Sequence, residues 1–61
     1  GAKKIGSAIE GHVLESFKLR ERRLVLEFDG KLILEVYAKY PANPDSPLAL
    51  KLYGPHGMLE E

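Results

Sequence analysis

No cysteine occurs among the 61 residues, so no disulfide staples the chain and no thiolate is available as nucleophile or metal ligand. Histidine is scarce too: His12 and His56 are the only two, which leaves few side chains suited to transition metals. Net charge is also missing, since nine Lys and Arg balance nine Asp and Glu, and no global field draws in nucleic acid or an anionic membrane. No apolar run approaches the ~20 residues of a membrane span, and the first residues lack the continuous apolar stretch of a signal peptide. A soluble, cytoplasmic protein is expected, with no membrane partner. The glycines are scattered, so no Gly-rich loop runs from a strand into a helix to cradle a phosphate.

What is present suits a small folded domain. Hydrophobic residues make up 44% and charged residues 30%, inside the globular range and outside the disordered one. A chain this short buries only roughly 60% of the surface its unfolded form exposes. With neither disulfide nor metal to help, self-association or a larger parent chain is the expected source of extra stability. The opening Gly1-Ala2 fits a processed chain, a tagged one or a domain cut from a longer protein.

The strongest local signal is Leu24-Val25-Leu26-Glu27-Phe28-Asp29-Gly30-Lys31-Leu32-Ile33-Leu34-Glu35-Val36, in which two period-2 apolar runs flank Asp-Gly. A two-residue turn would set Leu24 against Glu35. A three-residue loop, Phe28-Asp29-Gly30, with Gly30 left-handed, instead puts Leu26 opposite Leu32 and Leu24 opposite Leu34, on one face. Before this hairpin, residues 9–19 alternate as a strand with a flaw at Glu15, which a bulge near Leu14 or Glu15 would repair. A helix is the competing assignment, because Ile5, Ala8, Ile9, His12 and Val13 share a stripe at 3.6 spacing. Against it stand Gly6 and Gly11, each costing about 1 kcal/mol relative to Ala, and the lack of an evident helix C-cap. Arg20-Glu21-Arg22-Arg23 reads as a turn that pairs Leu19 with Leu24 and Phe17 with Leu26. Three prolines between residues 41 and 47 end the third strand, and Leu48 to Tyr53 resume the alternation.

The expected fold is therefore all-β: a four-stranded antiparallel meander near residues 9–19, 23–28, 31–40 and 48–53, curled into a small open barrel or half-sandwich. The alternative is α+β, an N-terminal helix on a three-stranded antiparallel sheet. Residues 1–61 form a single domain, with residues 1–8 a loose lead-in and 54–61 a frayed tail.

Catalytic patterns are weak. Ser16 follows His12 by four residues, but no Asp is positioned to orient the imidazole. Glu27 and Glu35 both project from the solvent face without lying opposite each other, and His12 with Glu10 or Glu15 lacks the ligand spacing of a zinc site. No enzyme activity, cofactor or metal is expected. The leading expectation is a protein-interaction module, a homodimer or a binder of another protein, through Val25, Ile33, Tyr37 and Tyr53, which project from the second face among opposite charges. A nucleic-acid-binding β module using the basic tip Lys18, Arg20, Arg22 and Arg23 is the alternative. An accessory domain of a larger enzyme is the third. The order of features is generic to small β domains and assigns no process.

Overall fold

The computed structural model describes residues 2–60: a short helix, α1 (Ala2–Ile9), then β1 (Leu14–Arg20), β2 (Arg23–Phe28), β3 (Leu32–Ala38), β4 (Leu48–Gly54) and β5 (Gly57–Glu60). The strands form one antiparallel sheet in chain order, β1-β2-β3-β4-β5, which stays open with β1 and β5 at its edges. The fold is thus mostly β, as expected, with five strands instead of four and a helix where a loose lead-in was expected.

α1 has little to sustain it in isolation. Eight residues are marginal as a free helix, Gly6 sits in its middle, and Lys3 and Lys4 occupy a first turn that favours acidic side chains. Tertiary packing supplies what propensity does not: Ile5, Ala8 and Ile9, at i, i+3 and i+4, press onto the sheet, and Ile5 is only 2% exposed. A C-terminal stop exists after all. Gly11 adopts φ +83, the left-handed conformation glycine tolerates, and the His12 amide donates to the Ile9 carbonyl at 3.0 Å.

Two features of β1 follow the sequence expectation. The ladder to β2 pairs Phe17 with Leu26 and Leu19 with Leu24, and the register shifts between Leu14 and Ser16, leaving Glu15 as the bulged residue. The next hairpin differs in detail. Phe28 stays in the ladder, facing both Leu14 and Leu32, so the loop is Asp29-Gly30-Lys31, and Leu26 meets Leu34 while Leu24 meets Val36. The offset is two residues, and because the side-chain period is two, every residue keeps its expected face. Gly30 is left-handed as anticipated, at φ +70, and Lys31 follows it at φ +62.

β3 ends at Ala38, short of the expected Tyr40, because Lys39 and Tyr40 turn their amides toward the proline loop: Lys39 donates to the Pro47 carbonyl at 3.0 Å and Tyr40 to Ser46 Oγ at 2.6 Å. The expected tail is a strand. Gly54 and Gly57 flank a Pro55-His56 turn, with Gly57 at φ +121, and β5 returns along β4 with Leu59 opposite Leu52 and Met58 opposite Tyr53. The buried core is Ile5, Leu32, Leu34 and Leu52, packed about by Leu26, Phe28, Val36 and Leu50. It lies under α1, at one end of the sheet.

Candidate functional site

Three places bring chemistry together. The first is the leucine face itself. Direct cross-strand partners share a face, so the registers assemble Phe17, Leu19, Leu24, Leu26, Leu34, Val36, Leu48, Leu50 and Leu52 on one side. α1 covers the Leu32, Leu34 and Leu52 end. At the other end Leu19 is 75% exposed and Leu48 70%, and Phe17, in the row of Leu26, Leu34 and Leu52 but out on the edge strand, is 65% exposed. Leu19, Leu24, Val36 and Leu48 line an open groove of about 460 Å³, with Pro44 of the β3–β4 loop on its rim.

The second place is the opposite, charged face. Val25, Ile33, Tyr37 and Tyr53 are found together there as expected, with Ile33 directly opposite Tyr53 and Tyr37 opposite Ala49. Val25, Ile33 and Tyr37 are half-buried, and Tyr53 is 39% exposed. Charged side chains lie across this face: Lys18 to Glu27 at 3.9 Å, Arg23 to Glu35 at 3.8 Å and Lys51 to Glu60 at 3.5 Å. Glu27 and Glu35 are diagonal neighbours, Glu27 facing Ile33 and Glu35 facing Val25. The Lys51 ammonium stands 5.2 Å from the Tyr37 ring centroid. Its pKa is raised, first by the negative charge Tyr37 acquires on ionising, then by the hydrogen bond to Glu60 and by Tyr53, against a small opposing effect of burial. The basic tip splits. Arg20 sits directly opposite Arg23, with Lys18 on the same face, whereas Arg22 occupies the turn at φ +57 and donates to the Asn43 carbonyl at 3.4 Å.

The third place surrounds His12. Its Nδ1 lies 2.6 Å from Asp29 Oδ1 and 3.3 Å from the Asp29 carbonyl, and the Asp29 amide donates to the Val13 carbonyl at 3.0 Å. The sequence expectation that no Asp orients this imidazole is therefore overturned. The partner lies 17 positions away, brought there because Asp29 leaves the β2 ladder just where the chain leaves α1. Donation to Asp29 from Nδ1 leaves Nε2 as the free ring nitrogen, the arrangement by which carboxylates orient histidines. Ser16 does not complete it, since its hydroxyl donates to Glu27 Oε1 at 3.0 Å. The pair staples the α1–β1 link to the β2–β3 turn. His12 and His56 share the wall of an open cavity of about 460 Å³ with Leu32, Leu52, Pro55 and Met58. Among the described residues no cluster of three or more His, Asp or Glu side chains is spaced to hold a metal ion.

Among the described residues no helix is long and apolar enough to cross a membrane. No family model, no curated protein and no solved structure matches the chain.

Proposed function

We propose that the chain is a non-catalytic self-association module, pairing with a second copy through the uncovered end of its leucine face. The observation that carries this is the continuation of the apolar face beyond α1, where Phe17, Leu19 and Leu48 stand exposed. Monomers rarely leave large side chains contiguous and uncovered, and an open sheet needs a second layer over its apolar face. The 31 strand residues, at ~3.3 Å along strands spaced ~4.8 Å, give a face of roughly 490 Å² in outline. An eight-residue helix, ~12 Å long and ~10 Å wide, shades about 120 Å² of it. Side-chain relief enlarges the remaining ~370 Å² per copy, but a face-to-face pair stays below the ~1,200 Å² where stable interfaces begin, in the range of weak, concentration-dependent dimers. Zero net charge removes any global repulsion between copies.

The proposed contact is the leucine face in preference to Val25, Ile33, Tyr37 and Tyr53, which lie among the ion pairs of the opposite face. Sedimentation across a concentration series tests both. The mass should rise toward that of a dimer in the upper micromolar range, and Leu19→Lys with Leu48→Lys should abolish the rise while Tyr53→Lys leaves it. A strict monomer at millimolar concentration would overturn the proposal, and loss of association in Tyr53→Lys alone would move the contact to the charged face.

A further inference from the structure

The hairpin between β1 and β2 carries a placement that packing does not account for. Its closing pair is Arg20 directly opposite Arg23, and like charges directly opposite one another destabilise a ladder. Arg22, between them, holds a left-handed φ that glycine or asparagine would adopt at less cost. Three arginines are thus gathered at one tip against local preference. Across from them, Lys39 and Pro41 enter from the β3–β4 loop. Arg22, Arg23, Tyr37, Lys39 and Pro41, with Glu21, line an open groove of about 530 Å³.

The groove is braced. The Ala38 amide donates to the Arg22 carbonyl at 3.2 Å, and the Arg22 guanidinium reaches the Asn43 carbonyl at 3.4 Å, so turn and loop hold each other. Neutralisation is incomplete. Arg23 has Glu35 at 3.8 Å, while among the described residues no salt bridge engages Arg20, Arg22 or Lys39. Among the described residues Glu21 is the only acidic side chain lining the groove; Glu35 is paired with Arg23 and Asp45 lies further along the same loop, while Glu10, Glu15 and Asp29 lie toward the other end of the sheet. A chain with no net charge is therefore locally cationic at this tip.

We propose that this groove binds the phosphate backbone of single-stranded nucleic acid, with Arg22, Arg23 and Lys39 of its wall, and Arg20 beside it opposite Arg23, neutralising its phosphates. Phosphates relieve the Arg20–Arg23 opposition, and guanidinium groups match their geometry bidentately. Lys18 lies two residues down β1 from Arg20 and does not line the groove, so the contact set is that of the tip and the loop together. Arg22 and Arg23 also line the groove of the leucine face, so the two surfaces adjoin at this tip.

Fluorescence anisotropy of a labelled twelve-residue oligothymidylate, titrated between 20 and 200 mM NaCl, tests the proposal. With about four phosphates neutralised, log affinity should fall against log salt with a slope near −3. Arg23→Gln with Lys39→Gln should roughly halve that slope and weaken binding at least tenfold at the lowest salt. Lys3→Gln with Lys4→Gln removes the same charge from the exposed surface of α1 and should leave both quantities close to the parent's. Circular dichroism establishes that each variant folds. Three results would overturn the proposal: no binding at 20 mM salt, equal weakening by the α1 variant, or displacement of the oligonucleotide by heparin with no difference between parent and Arg23→Gln/Lys39→Gln.

Discussion

Leu48 and Leu52 stand on the same strand and the same face, yet Leu52 is 3% exposed and Leu48 is 70% exposed. Nothing in their side chains separates them. What differs is the layer above: α1 ends over Leu52, and only the rim of the proline loop approaches Leu48. Alternation decides which way a residue points, while burial is decided by whatever lies across from it. One end of this face is the core of the domain, and the other is uncovered apolar surface, the part on which the proposed self-association rests.

Ile5→Ala should have the largest effect on this contrast. Ile5 joins α1 to Leu32, Leu34 and Leu52, so removing it leaves a cavity and unseats a helix with little propensity of its own. Urea unfolding should show a loss of about 2–5 kcal/mol, much of the stability of so small a domain. Leu48→Ala, measured at low protein concentration, should cost under about 0.5 kcal/mol, as exposed substitutions do. Equal losses would erase the distinction between the two ends.

Next in size is the β2–β3 turn, which sets the register beneath α1. Gly30 is left-handed, and a Cβ there would meet the His12 ring at 3.4 Å. Gly30→Val combines a β-branched residue at positive φ with pressure on the His12–Asp29 staple and should destabilise by about 2 kcal/mol or more. Lys31→Gly works in the opposite direction. Lys31 has φ +62, so glycine relieves backbone strain and should raise the unfolding free energy by up to about 1 kcal/mol, less what it adds to unfolded-chain freedom, read as a higher urea midpoint. A parent-like Gly30→Val would show that this turn does not hold the covered end together.

Much of this was legible in the sequence, for identifiable reasons. Leu24, Leu26, Phe28, Leu32, Leu34 and Val36 alternate so cleanly that a loop placed one residue early still returned every side chain to its proper face. The Glu15 bulge showed itself as an acidic residue at an inward parity. α1 was harder to see, because Gly6 and a basic first turn argue against the very helix that Ile5 secures by tertiary contact. β5 is too short to display a period, and its turn was masked by Gly54-Pro55, which resembles a chain end. The His12–Asp29 pair left no local signal, since only the bulge, the turn and the end of α1 acting together bring it about. The exposure of Leu19 and Leu48 was hidden for a related reason: cover is a property of the fold's third dimension, and the sheet pattern is indifferent to it.

The smallest expected effect extends the comparison to the opposite face, where charged arms lie over the apolar side chains. Lys51 stands over Tyr37 and is bonded to Glu60, and its pKa is raised above the usual 10.5, with Tyr37 the largest cause. A folded-state pKa above the unfolded value means that whatever this ammonium contributes to stability is fully present below about pH 10.5 and is lost as the pH rises through the higher folded value. The Lys51 side chain is half-buried but both its folded and unfolded pKa lie far above neutrality, so the effect belongs in its titration and not in the unfolding curve at neutral pH. Following its side-chain resonances by NMR, folded and in concentrated urea, should show the folded protein titrating at higher pH. Tyr37→Phe should remove the largest part of that difference, because phenylalanine keeps the ring but cannot ionise, and Glu60→Gln a smaller part. If Tyr37→Phe leaves the titration where it was, Lys51 does not sit over that ring in solution, and the charged face is as open to a partner as the far end of the leucine face.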